Sequence, residues 1–174
     1  DNAIVRKILK QVQELENQGY QFETAEASFD LIVRQFLGNY HTFFELDHYR
    51  MVISRSQNRF PVSEAIVKIH VNGHIEHRVA EGDGPVNAMD GALRRALAPH
   101  YPGINEMQLV DYRVRVVNPR AATAAKVRVL IESRDTTHHW GTIGVSENII
   151  DASWKALVDS IEYKLLRDEE QEKT

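Results

Sequence analysis

Cysteine is absent from the 174 residues. That excludes disulfides, thiolate metal sites and cysteine nucleophiles. No apolar run approaches the ~20 residues that a membrane-spanning helix needs, and no signal-peptide pattern opens the chain. The expectation is therefore a cytoplasmic protein without a membrane partner. Charge of one sign is also scarce: the net charge is −4 and the two signs are interspersed. A basic face for nucleic acid or anionic lipid is thus missing. So are a phosphate-binding glycine loop, a Rossmann glycine pattern after a parallel strand, and a His-x-x-x-His pattern on a helix. A chain of this length buries about 70% of its unfolded surface and needs no staples. It reads as one domain, or a domain plus an appendage. The first residue is Asp1 and a helical pattern follows at once, so the sequence reads as a piece of a longer protein.

What is present centres on Glu81-Gly82-Asp83-Gly84-Pro85-Val86-Asn87-Ala88. It links a strand-like run to a helix-like one. Two glycines permit a tight turn, Pro85 suits a first helical position, and Gly84 becomes the N-cap. The free N–H groups of such a helix start are a natural seat for a carboxylate. A plain strand-to-helix turn explains the same residues.

The pattern recurs. Asn87-Ala88-Met89-Asp90 opens one helix and Asn148-Ile149-Ile150-Asp151 another, with Ser146 the expected N-cap of the second. Strands Ala65–Val71 and Lys126–Ile131 lie upstream of each. A spacing of roughly 60 residues marks two copies of one supersecondary unit.

In chain order, Ile4, Ile8, Leu9, Val12 and Leu15 form a helical stripe that ends at Gly19. A second stripe runs from Ala25 to Leu37 and closes at Gly38-Asn39. These helices read as a connector to something N-terminal. Strands follow over Phe43–Ser54 and from Ala65 to Val71, where apolar residues alternate with Lys68 and His70. Asn72-Gly73 signals a type I′ hairpin, and Ile75–Ala80 returns. The first helix of the repeat spans Pro85–Leu97. Met107–Val117 is the most regular strand, with Val110, Tyr112, Val114 and Val116 expected on one face and Asp111, Arg113 and Arg115 on the other. Strands Lys126–Glu132 and His139–Val145 precede a helix from Glu147 to about Arg167. Asp168–Lys173 reads as a frayed tail. The fold class is α+β: duplicated βββα units with antiparallel sheets and helices on one side, preceded by a helical connector. The expected division is a connector with a leading strand over 1–60 and the duplicated domain over 61–174.

Of the eight histidines, only His70, His74 and His77 cluster, with His70 and His77 expected to pair across strands. No carboxylate spacing joins them, so no metal and no cofactor is expected in this segment. Ser146 reads as a cap and not as a nucleophile, and no catalytic constellation emerges. What remains is a pair of helix starts beside aliphatic residues, which suits a zwitterion with an aliphatic side chain. Its carboxylate would meet the N–H groups at Gly84–Val86 or Ser146–Asn148. Asp83 or Asp111 would meet its ammonium.

Three motifs carry a resemblance: Gly82-Asp83-Gly84-Pro85-Val86-Asn87-Ala88, Leu109-Val110-Asp111-Tyr112 and Trp140-Gly141-Thr142-Ile143-Gly144-Val145-Ser146. In this order they resemble the C-terminal regulatory domain of α-isopropylmalate and citramalate synthases, over about Val62 to Leu166. The segment from Gly19 to Ser28 resembles the connector of the citramalate synthase branch. The resemblance implies a homodimer and an aliphatic amino-acid effector near its interface, isoleucine or alternatively leucine. It also implies a separate N-terminal acyltransferase barrel that uses a divalent metal, and a non-catalytic role for this segment. Carried over, the effector residues are Val86, Asn87, Leu109, Tyr112, Val116, Ala121, Ala122 and Val145, beside Gly84 and Asp111 from the zwitterion chemistry. Strand parity independently puts Tyr112 and Val116 on one face. The competing readings are a purely structural dimerisation module and a small enzyme using the histidine cluster.

Overall fold

The computed structural model describes residues 2–118 and 125–174. The order of elements is α1 (Asn2–Asn17), α2 (Glu26–Leu37), β1 (Glu45–Ser54), β2 (Val62–Val71), β3 (His74–Gly82), α3 (Pro85–Leu97), a short 3-10 helix (Pro102–Glu106), β4 (Gln108–Val117), β5 (Lys126–Arg134), β6 (His139–Ser146) and α4 (Ile149–Glu172). Two compact units result: one is Thr42–Asn105, the other joins Asp1–His41 to Glu106–Thr174. Each holds one βββα copy, and each sheet is antiparallel with its strands in sequence order.

In the first unit the alternation in β2 sets the core. Ala65, Val67, Ile69 and Val71 are buried, and α3 packs on β2 and β3 with Ala88, Ala92, Leu93, Ala96 and Leu97 inward. Small residues bring the helix close to the sheet: a Cβ on Gly91 would stand 3.2 Å from that of Ala80. The β2–β3 turn has Asn72 at φ 49° and Gly73 at φ 75°, the two positive angles of the expected type I′ hairpin. The end of α3 is tied down by Arg94, which holds Asp90 at 2.8 Å and donates to the Ile104 carbonyl at 2.9 Å.

In the second unit α4 covers one face of β5 and β6, while α2 packs on both α4 and β6. Small residues again set the approach, since a Cβ on Gly144 would overlap the Ala152 carbonyl. The segment that leads into α2 covers the other face, where Ile143 and Val145 pack with Ala25, Tyr20, Phe22 and Leu130. β6 is an edge strand, and the connector caps its free N–H groups. Gly141 N donates to Glu26 Oε1 at 2.9 Å and Ile143 N to Ser28 Oγ at 3.0 Å. Val145 N bonds the Tyr20 hydroxyl. Three successive outward donors are thereby removed from intermolecular pairing.

Four expectations are corrected. First, α4 continues through Glu172 and has no frayed tail from Asp168. Its last turns find partners: Asp168 meets Lys164 at 2.7 Å, Glu169 meets His41 at 3.2 Å, and Glu170 forks onto Arg34 of α2. Second, the N-cap of α4 is Asn148, whose Oδ1 accepts from Ile150 N and Asp151 N. Ser146 Oγ instead accepts from Asn148 N at 3.2 Å. Third, Gly84 lies at φ −148°, ψ 171°, extended backbone that any residue adopts. The demanding glycine is Gly82, where a Cβ would stand 2.5 Å from Asn87 Oδ1 and 2.6 Å from Ala88 N. Fourth, His70 opposes Ile75 and His77 opposes Lys68, so His70 and His77 are not cross-strand partners.

Candidate effector site

β4 is the other edge strand of its sheet, and its register contains one irregularity. Leu109 opposes Ser133, Asp111 opposes Glu132, and Val110 is the extra residue of a bulge between them. The bulge resets the parity. Leu109, Tyr112, Val114 and Val116 therefore share the face on which Ser133, Ile131, Val129 and Val127 point toward α4. Val110 does not belong to that row, contrary to plain alternation. The first copy repeats the device: Leu46 opposes Ile69, His48 opposes Lys68, and Asp47 is the extra residue before Tyr49.

Because α4 lies over β5 and β6, the β4 part of this face stays accessible. Tyr112 is 39% and Val116 72% exposed, although the β5 residues opposite Tyr112 and Val114 are buried. The Tyr112 hydroxyl lies 3.0 Å from Ser153 Oγ on α4. The Ser153 proton goes to the Ile149 carbonyl at 2.6 Å, so Tyr112 is the donor in this pair. Tyr112 thus has a fixed ring with one open side, flanked by Leu109 and the Val114–Val116 stripe.

The other expected residues are distributed as follows. Asp111 lies on the opposite face of β4, where Oδ2 holds Arg113 Nε at 2.9 Å; Oδ1 accepts from Tyr112 N. Its charge is already neutralised locally. Val145 opposes Arg128 and is buried in the connector cluster, also away from the Tyr112 face. Ala121 and Ala122 lie outside the described residues. In the first unit, Gly84 N-caps α3 without a side-chain cap, and Pro85 occupies the next position. The N–H groups of Val86 and Asn87 open the helix there, with Val86 buried and the Asn87 carboxamide folded back on Gly82. The two helix starts therefore differ. That of α4 is capped by its own Asn148, while that of α3 offers N–H groups that no side chain caps.

Among the described residues, no group of three His, Cys, Asp or Glu side chains is placed to hold a metal ion. The histidines are engaged elsewhere: His100 Nε2 meets Glu76 Oε1 at 3.0 Å, and the His48 and His77 rings lie 5.9 Å apart. Sequence reasoning missed Ser153, whose contact to Tyr112 depends on the packing of α4. It also missed the edge-capping trio Tyr20, Glu26 and Ser28. Among the described residues, no helix is long and apolar enough to cross a membrane.

Comparison with known proteins adds the family. The model of the LeuA allosteric (dimerisation) domain matches residues 23–165. The (R)-citramalate synthase of Aquifex aeolicus is 50% identical over 168 residues, which cover 96% of this chain and 32% of that protein. That of Geobacter sulfurreducens is 51% identical over 170 residues, 97% and 32% respectively. The 2-isopropylmalate synthase of Aquifex aeolicus is 30% identical over 136 residues, 75% and 24%. The chain spans about a third of the length of the first two relatives. A duplicated βββα fold, a helical connector locked onto the second sheet, and a family match over most of the length lead to one assignment: the chain belongs to the LeuA allosteric (dimerisation) domain family.

Proposed function

We propose that this chain is the feedback and dimerisation domain of an (R)-citramalate synthase and that it binds isoleucine. The half-exposed aliphatic row around Tyr112 carries this reading. An outer strand that turns Leu109, Tyr112, Val114 and Val116 to one face, with the tyrosine pinned by α4, offers an aliphatic ligand a preformed wall. Burial of an isoleucine-sized side chain contributes about 1.5–3 kcal/mol, enough to separate aliphatic amino acids from polar ones. The relatives' names favour the citramalate branch, at 50–51% identity against 30% for the 2-isopropylmalate synthase. The whole protein would then condense pyruvate with acetyl-CoA in an N-terminal barrel that uses a divalent metal, with this domain as its sensor.

Isothermal titration tests the proposal. Isoleucine is expected to bind saturably, leucine and valine more weakly, and alanine or glutamate not at all. Leucine as the tighter ligand would assign the chain to the isopropylmalate branch. No binding of any aliphatic amino acid would leave a structural dimerisation module. Light scattering is expected to report a homodimer at micromolar concentration.

A further inference from the structure

Two arginines sit directly opposite each other on the connector-covered face of the second sheet: Arg115 of β4 and Arg128 of β5. Like charges so placed repel, and Arg128 is partly buried as well. Its Nε donates to the Gly19 carbonyl at 2.7 Å and its Nη1 to Gln21 Oε1 at 3.1 Å, both neutral acceptors. Among the described residues, neither guanidinium has a carboxylate within 4.0 Å. Burial and the neighbouring Arg115 hold the pKa of Arg128 below its ordinary value.

Arg128 also lines a groove of about 420 Å³ between α1, the connector and α2. The groove wall is aromatic. Tyr20 stacks on Phe22 at 5.8 Å, and Phe29 meets Phe22 edge-on at 6.1 Å. Phe29 remains 40% exposed beside the aliphatic Val12. Glu16 and Glu23 line the same groove, and their repulsion grows with each charge on an anion, so a single carboxylate is disfavoured less than a multiply charged anion.

We infer that this groove is a second small-molecule site, separate from the Tyr112 face, which takes a monocarboxylate with an apolar body. The carboxylate would be held by Arg128 with Arg115 beside it, and the apolar body would lie on Phe22, Phe29 and Tyr20. A charged donor fixed by two neutral acceptors is oriented before the ligand arrives, and hydrogen bonds to a charged partner are the strong ones.

The test is titration of the 174-residue chain with 4-methylpentanoate, its neutral isostere 4-methylpentanamide, and inorganic phosphate, read by calorimetry and by the arginine Nε–Hε resonances. Saturable binding of the carboxylate is expected, with at least tenfold weaker binding of the amide and of phosphate. Arg128→Gln should abolish it. Because that variant also loses the Gly19 contact, Arg115→Gln is the second arm: it should weaken binding severalfold while the melting temperature stays the same or rises, since it relieves the repulsion between the two arginines. Tyr112→Ala should leave this binding intact, whether or not it affects isoleucine. No saturable binding, equal binding of phosphate (an adventitious ion only), or loss of binding in Tyr112→Ala with none in Arg115→Gln would each overturn the inference.

Discussion

Tyr112 donates to Ser153 across 3.0 Å, and this one hydrogen bond fixes an otherwise open tyrosine of β4 against α4. Its partner is 1% exposed and already committed to the Ile149 carbonyl. Tyr112→Phe keeps the ring and removes the bond. The expected loss is about 0.5–1.5 kcal/mol, or roughly 1–6 °C of melting temperature at ~2–4 °C per kcal/mol. Ser153→Ala combined with Tyr112→Phe should cost little more than the single change, which a double-mutant cycle by thermal melt would read out.

Gly141→Ala and Gly144→Ala are expected to destabilise different contacts of the same strand. At Gly141 the new methyl would overlap the Thr24 carbonyl of the connector; at Gly144 it would overlap the Ala152 carbonyl of α4. Overpacking costs about 1–3 kcal/mol when the neighbour yields, and these neighbours are backbone. Gly141→Ala should push the connector outward, so the Ile143 amide, now held by Ser28, should exchange faster in hydrogen-exchange measurements. Gly144→Ala should lower the melting temperature of the whole second unit. An unchanged Ile143 exchange rate in Gly141→Ala would show that the connector is not the cap of that edge.

Stability should rise as the pH falls from about 8 to about 5.5. Burial pushes the Asp159 carboxyl up to about 7, against the Ser28 hydroxyl that donates to it at 2.7 Å. A carboxyl raised above its unfolded value favours the folded state when protonated. Its contribution is complete below the unfolded value near 3.8 and is lost as the pH rises through about 7. Glu76 and Glu170 act in the opposite sense. His100 holds Glu76, and Arg34 holds Glu170, below the ordinary carboxylate value of 4.5, so their contributions fade as the pH falls through that region. Denaturant unfolding from about pH 8 down to about pH 4 should show a maximum at about pH 4.5–5, where the Glu76 and Glu170 contributions begin to fade. Asp159→Asn should flatten the slope above it; a slope that persists in the variant would assign it to other groups.

The repeat, the strand alternation in β2 and the Asn72-Gly73 hairpin were legible because each depends on neighbours in sequence. The face of β4 was legible only in part. Tyr112 and Val116 follow simple parity, but Leu109 joins them through a bulge at Val110, which no composition rule marks. The α4 cap was misplaced by two residues because Ser146 and Asn148 are both good caps, and the backbone path that decides between them is tertiary. The tail of α4 reads as solvated from its charges alone; α2 gives Glu170 a guanidinium to bind, and the helix continues. The contacts of Tyr20, Glu26 and Ser28 with β6 span more than a hundred residues of sequence, beyond any local pattern.

The most direct test of the sensor reading is a thermal melt of the purified chain with and without isoleucine, in the wild type and in Tyr112→Ala. A ligand that binds only the folded state at a hundredfold excess over Kd stabilises it by about 2.7 kcal/mol. For a domain of this size that is a rise of roughly 5–10 °C. The account predicts this rise with isoleucine, a smaller one with leucine and valine, and its loss in Tyr112→Ala while light scattering still reports a dimer. An equal rise in Tyr112→Ala, or no rise with any aliphatic amino acid, would contradict it.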